Sequence, residues 1–209
     1  MYSVVQICNQ ALLLIGTRPI ASLDEPTPEA AYCKRFYDQA VLSVLRDHPW
    51  GFAQRREKLA EVRVPEGWQS AYRKAYAYPI DCVQSHYLIT ACGMEKSQAY
   101  ELAADDERTI LLTNLAEAVM AYTAHIRDVT RFDPMFVEVL TRKLQCRLVK
   151  PILKGNAQAV KEAEELYARA LAEAKTADSK EGQPFNDPEE SWLAGNPWAA
   201  ERMGLFRRP

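Results

Sequence analysis

"TPEAAYCKRFYDQAVLSVLRDHPWGFAQRREKLAEV", residues 27–62, contains the change of period that decides the fold. Thr27-Pro28 opens a helix, since threonine is a favoured N-cap and proline at the first helical position lacks only an N–H that would go unpaired anyway. Cys33, Phe36, Tyr37, Ala40, Val41, Val44 and Leu45 then return every three or four residues, along one face of a helix that runs to His48 and stops at Pro49. Beyond Pro49 that period is gone. Phe52 to Val62 has a charged centre, Arg55-Arg56-Glu57-Lys58, which suits an exposed edge strand or a short helix, with strand preferred.

Upstream, residues 4–15 place Val4, Cys8, Ala11, Leu12 and Ile15 on one helical face, between the Ser3-x-x-Gln6 pattern of a capping box and Gly16. Downstream, residues 51–113 read as extended chain. Tyr72, Tyr76 and Tyr78 are expected on one face, and Val83, Ser85, Tyr87 and Ile89 alternate in a second stretch. Tyr100 and Leu102 precede a turn at Asp105-Asp106-Glu107-Arg108 and a last strand at Thr109 to Thr113, completing an antiparallel meander.

Helices are expected to resume at Asn114, where Asn114-x-x-Glu117 caps a stripe of Leu115, Ala118, Val119, Tyr122, Ile126 and Val129. Asp133-Pro134 opens the next, with Val137, Leu140, Leu144 and Leu148 in register until Pro151 ends or kinks it. After a break at Gly155-Asn156, a last helix over about 157–177 carries Val160, Ala163, Leu166, Tyr167, Ala170, Leu171 and Ala174 on one side. The expected fold class is α+β, mainly α. Residues 1–50 and 114–178 form a helical bundle, residues 51–113 an inserted antiparallel β-meander, and residues 179–209 an extended C-terminal arm.

With 209 residues, 48% of them hydrophobic, the chain can bury a substantial core. The net charge of −2 is balanced along the length, leaving no broad positive field, which counts against a sequence-reading DNA-binding protein. Cys8, Cys33, Cys82, Cys92 and Cys146 are odd in number and widely spaced, without a CxxC or Cys/His cluster, as expected for buried thiols in a reducing compartment. There is no basic n-region, and the apolar run Ala11 to Ile15 is far shorter than the roughly 20 residues that span a bilayer. Neither secretion nor membrane insertion is expected.

Catalytic signals are thin. His48, His86 and His125 lie far apart and accompany no HExxH, GxSxG, P-loop or GxGxxG pattern, so packed or solvated histidines are expected. Asp105, Asp106 and Glu107 fall between strands, where acidic residues make turns more often than metal sites, and Asp81 after Pro79 suits an Asx turn. A glycosidase pair would need a second carboxylate brought in by the fold. No catalytic, cofactor-binding or metal-binding residue is assigned. Lys143, Arg147 and Lys150 make a basic stripe opposite Leu140, Leu144 and Leu148; it reads as a solvated helix face, with a surface facing nucleic acid or an acidic partner as the alternative, and in a ring it would line the channel.

Residues 192–209, "WLAGNPWAAERMGLFRRP", resist that kind of reading. Disordered tails are ordinarily polar and poor in aromatics, whereas here Phe185, Trp192, Leu193, Trp198, Leu205 and Phe206 alternate with glycines and prolines, without helical or strand period. Such a segment either folds back over its own bundle or docks on another subunit, and the irregular, extended composition favours docking. Burying each large side chain contributes about 1.5–3 kcal/mol, and tryptophan and arginine are enriched at binding hot spots.

Ile7-Cys8-Asn9-Gln10-Ala11-Leu12, Ile20-Ala21-Ser22-Leu23-Asp24-Glu25 and "EAAYCKRFYDQAVLSVLRDHPWGFAQRREKLA" from 29 to 60 resemble the head-to-tail adaptor family of short-tailed phages, often called tail tubular protein A. "YAYPIDCVQ" at 76–84, "TILLTN" at 109–114 and "DPMFVEVLTRKLQCRLVKPI" at 133–152 are similar to later landmarks of that family, in its order, so that the resemblance covers most of residues 3–178. The C-terminal segment carries no fixed family motif.

The resemblance implies a helical bundle with an inserted sheet domain, assembled as a ring of twelve copies beneath the portal. Such proteins complete the head after DNA packaging and carry the tail tube or nozzle; they are structural, need no cofactor, and let DNA pass without reading its sequence. In similar adaptors a C-terminal arm contacts the portal subunits. Composition and resemblance together make Phe185, Trp192, Trp198 and Phe206 the expected apolar anchors, with Arg207 and Arg208 pairing with acidic portal groups. The expected location is the virion, at the head-to-tail interface, after synthesis in the host bacterial cytoplasm, with no membrane contact. The alternatives are a tail-associated peptidoglycan hydrolase and, behind it, a small nucleic-acid-binding regulator using the Lys143, Arg147, Lys150 stripe.

Overall fold

The structure, a computed structural model, describes residues 2–90, 99–105 and 108–181. The first helix, α1 (Val4–Ile15), begins with both halves of the capping box. Ser3 Oγ accepts from the Gln6 N–H at 3.2 Å and Gln6 Oε1 accepts from the Ser3 N–H at 2.9 Å. It ends at Gly16 with φ +79°, a left-handed position where a Cβ would be strained. Helix α2 (Pro28–Asp47) is capped by Thr27, whose hydroxyl accepts from the Ala30 N–H, and it buries Cys33, Tyr37, Ala40, Val41, Val44 and Leu45 as its period requires.

A single 3-10 turn, Gly51–Ala53, converts helix into sheet. It is fixed by Trp50, which is buried and donates its indole N–H to the Val44 carbonyl at 2.9 Å. Phe52 and Phe136 meet that indole at 6.5 and 5.1 Å, and Phe132 packs on both of them at 5.9 and 4.7 Å, making an aromatic cluster between the start of the sheets and the third helix.

Strand β1 (Gln54–Lys58) follows, then β2 (Glu61–Val62), β3 (Lys74–Ala77), β4 (Cys82–Thr90), β5 (Glu101–Ala104), β6 (Thr109–Thr113) and β7 (Ala118–Ala124). Helices α3 (Pro134–Ile152) and α4 (Ala157–Glu181) complete the described chain. The strands pair antiparallel in two sheets, ordered β1-β7-β4 and β2-β3-β6-β5. The class is therefore α+β with antiparallel sheets. As preferred, the charged stretch after Phe52 is an edge strand, exposed throughout.

The expected helix over residues 114–129 is overturned: this segment contains β7, the central strand of its sheet. Asn114 caps no helix, because its Oδ1 accepts from the Arg73 N–H at 2.9 Å. Glu117 has φ +54°, incompatible with a first helical turn, and pairs with Lys58 at 2.7 Å. A strand flanked on both edges and nearly buried on both faces reads as a continuous apolar run, which helical spacing fits equally well. Ile126 and Val129 fall in the following loop and 3-10 turn.

The single meander is corrected for the same reason. Because β7 takes both β1 and β4 as neighbours, β3 pairs with β6 and not with the next strand in the chain. Tyr72 also leaves the face expected for it. It precedes β3 and packs with Trp68 against Ala75, Ile110 and Leu112, while Tyr76 and Tyr78 join the main core on the opposite face.

Asp133 and Pro134 start α3 as expected, with Asp133 Oδ1 accepting from the Met135 N–H at 2.8 Å. Pro151 lies in its last turn, and Gly155, with φ +79°, and Asn156 make the break before α4. Residues 1–174 form one compact unit and residues 175–209 a second, of which 175–181, the last turns of α4, are described. Within the first, Ile7, Leu12 and Leu140 of the helices share one core with Leu88, Leu111 and Tyr122 of the sheets, and α3 is the common partner of α1 and α2. Among the described residues no helix is long and apolar enough to cross a membrane.

Candidate functional site

Phe185, Trp192, Leu193, Trp198, Leu205, Phe206, Arg207 and Arg208 lie outside the described residues, as does Cys92. The basic stripe is described, and its three members differ. Lys143 lies 4.3 Å over the Tyr167 ring and 3.4 Å from the Asp47 carboxylate, with its side chain 20% exposed. Tyr167 donates to the same carboxylate at 2.5 Å and is held well above the usual phenol range by burial and by Asp47. Arg147 buries its Nε, which has no hydrogen-bond partner among the described residues. Lys150 alone is exposed. A continuous solvated face is therefore corrected to one exposed lysine beside two enclosed cations, because α4 crosses this side of α3, with the Cys146 thiol donating to the Ala163 carbonyl at 3.2 Å.

A polar cluster lies in the β1-β7-β4 sheet. Tyr122 stands in register between Arg55 and Ser85, and its buried hydroxyl approaches Glu57 at 2.9 Å and Asp81 at 3.1 Å. Arg55 donates to the other oxygen of Asp81 at 2.5 Å. The phenol is pushed well above its ordinary range, first by burial and then by the two carboxylates. Asp81 thus spans strands instead of closing an Asx turn; the turn is made by the backbone, with the Cys82 N–H donating to the Pro79 carbonyl at 3.1 Å. Glu57 and Asp81 do converge, but on a tyrosine oxygen, where a glycosidase leaves space for the sugar and its water. The arrangement clasps the edge strand and the β3–β4 turn onto β7.

The histidines are packed. His48 meets Trp50 edge to face at 5.0 Å. His86 Nε2 lies 2.8 Å from Thr123 Oγ1, and burial lowers its pKa; desolvation and then Arg127 lower that of His125. Cys8 and Cys33 are wholly buried against one another between α1 and α2, the Cys33 thiol and burial pushing Cys8 up. The Asp105 N–H donates to the Arg108 carbonyl at 2.8 Å between β5 and β6, while Asp106 and Glu107 lie outside the described residues. Among the described residues no group of three His, Cys, Asp or Glu is placed to hold a metal ion.

Two apolar surfaces escaped the sequence reading. Tyr2, just before α1, and Leu13 and Leu14 on it are exposed and, with Met135, Glu138 and Arg142 of α3, line a groove of about 490 Å³. On other elements, Leu42 of α2 is exposed and Ile80, at the tip of the β3–β4 turn, is fully exposed at 106%; both border a depression with Arg46. A signal for the first was present. In "ALLLIG", residues 11–16, five consecutive apolar side chains cannot all lie on one helical face, so Leu13 and Leu14 had to point away from Leu12. Ile80 gave none beyond an isoleucine in a turn.

No protein-family model matches the chain, and no curated protein matches it.

Proposed function

We propose that this chain is a structural virion protein: a head-to-tail adaptor that forms a ring, of twelve copies by resemblance, beneath the portal of a short-tailed phage. It completes the DNA-filled head and presents the platform for the tail tube or nozzle, while DNA passes through the lumen without sequence-specific contacts. It is a helical bundle with a sheet insertion and an extended arm, works in the virion without cofactor, and is not an enzyme.

One observation carries this reading. The stretches that resemble the adaptor family fall on α1, α2, the Trp50 junction, β3–β4, β6 and α3, and these elements converge on one core. The arm, whose expected start at 179 moves to 182 because α4 continues to Glu181, supplies Phe185, Trp192, Trp198 and Phe206 as anchors in portal grooves and Arg207 and Arg208 as partners for acidic groups. Repeating one modest contact around a closed ring provides avidity. The test is capture of the full chain on the immobilised portal ring of the phage that encodes it. Saturable capture is expected, and its absence contradicts the proposal.

The hydrolase alternative has one supporting observation, the convergence of Glu57 and Asp81. It is the weaker reading because Tyr122 and Arg55 engage these carboxylates. Clearing of a peptidoglycan suspension that Asp81→Asn abolishes would revive it.

A further inference from the structure

We infer that Cys8 and Cys33 form a reversible disulfide between α1 and α2 when the chain meets hydrogen peroxide, a modification that staples its first two helices together. Only the occasion for it rests on the adaptor reading: a virion leaves the reducing host cytoplasm for an oxidising exterior, where disulfides persist.

Both cysteines are free thiols, wholly buried on the core faces of two helices that are in contact. Ala11 and Ala30 stand one turn from them on the same faces, also wholly buried, and such small side chains let the two backbones approach. Helices packed about 8–10 Å apart, with Cα atoms on a radius of about 2.3 Å, bring facing Cα atoms to about 3.5–5.5 Å, within reach of the roughly 4.4–6.8 Å that a disulfide bridges. The thiols already meet. Cys8 donates its S–H to the Cys33 sulfur, and that bond raises Cys8 and lowers Cys33 from their ordinary values. Cys82 and Cys146 differ, since their thiols are directed at the Tyr78 hydroxyl at 3.0 Å and the Ala163 carbonyl at 3.2 Å.

The direction of the hydrogen bond assigns the roles. The Cys33 thiolate attacks one peroxide oxygen and breaks the O–O bond; the hydroxide released takes up the proton that Cys33 gave and leaves as water. The Cys8 sulfur then attacks the sulfur of the Cys33 sulfenic acid. An S–S bond forms, the S–O bond breaks, and that oxygen leaves as a second water carrying the Cys8 proton. The two thiols lose two electrons and the peroxide gains them. Access for so small an oxidant comes from a cavity of about 400 Å³ at the same seam, lined by Val4, one turn before Cys8, and by Tyr37, one turn after Cys33.

The experiment treats the reduced full chain with a small excess of hydrogen peroxide, then follows intact mass, peptide maps made with free thiols blocked, and thermal melting. A loss of two hydrogen atoms and a linked pair of peptides carrying Cys8 and Cys33 are expected. The melting temperature should rise by about 5–10 °C, because the bridge restricts the unfolded chain, and should return on treatment with dithiothreitol. Cys33→Ala should lose both the link and the rise. Reduced and bridged forms of the wild-type chain are compared directly, so the outcome does not depend on how that variant folds. Recovery of Cys8 and Cys33 unlinked, or a bridge that fails to raise the melting temperature, would overturn the inference. Capture on the portal ring, measured separately on the reduced chain, keeps the two readings apart: bridging without capture removes the adaptor reading and keeps the disulfide, and capture without bridging does the reverse.

Discussion

Trp50 and Phe136 meet edge to face, 5.1 Å apart and at 87°, where the chain leaves α2 for the sheets and where α3 begins. The contact joins two stretches distant in sequence that both carry the adaptor resemblance. Both rings are buried, so truncating either opens a cavity, and Trp50→Ala and Phe136→Ala should each cost about 3–5 kcal/mol in urea unfolding. A double-mutant cycle with Phe136→Leu and Trp50→Leu should leave a coupling of about 0.5–1.5 kcal/mol. Additive losses would show that the rings are merely neighbours.

Tyr122 holds two carboxylates with one hydroxyl. Tyr122→Phe keeps the ring volume and leaves Glu57 and Asp81 facing an apolar edge, so a loss of about 1–3 kcal/mol is expected. Glu57→Gln, which retains an acceptor on an exposed residue, should cost less. Equal losses would mean that the clasp acts through Glu57 alone.

The basic stripe makes a discriminating pair. Lys143→Ala removes the contacts with Tyr167 and Asp47 and should destabilise by about 1 kcal/mol, discounted for its partial exposure. Lys150→Ala should change stability by no more than about 0.5 kcal/mol. Matching thermal melts of the two variants would contradict the enclosure of Lys143.

His86 and His125 both titrate below the ordinary value of 6.5 because the fold desolvates them. In the unfolded chain they bind protons at a pH where the folded chain does not. Their contribution is complete above about pH 6.5 and is lost as the pH falls from there through the folded values. The melting temperature should therefore fall between about pH 7 and about pH 5.5, and the His86→Gln, His125→Gln double variant should show a shallower fall. An unchanged slope would place the titrating groups elsewhere.

The helices with marked ends were legible because their caps are local. Ser3 and Gln6, Thr27 and Pro28, and Asp133 and Pro134 act within one turn, and their neighbours in sequence are their neighbours in space. Strand β7 was not legible. Its apolar run fits a helix, and what decides the matter is the pairing of Tyr122 with Arg55 and Ser85, 67 and 37 residues away. Asn114-x-x-Glu117 misled for a related reason: both side chains are used across strands, by Arg73 and Lys58. Of the functional candidates, the stripe was legible as a pattern, but its enclosure depended on where α4 would lie. The full exposure of Ile80 had no sequence signal, because its neighbours in the β3–β4 turn are set by strand pairing.

Native mass spectrometry of the portal ring mixed with the full chain, and separately with a version ending at Asp178, decides whether this chain is an adaptor. A single large complex carrying a full ring of copies is expected with the full chain, and little or none with the shortened one. Equal loading by both would contradict the role assigned to Trp192, Trp198 and Phe206, and no loading by either would contradict the adaptor reading itself.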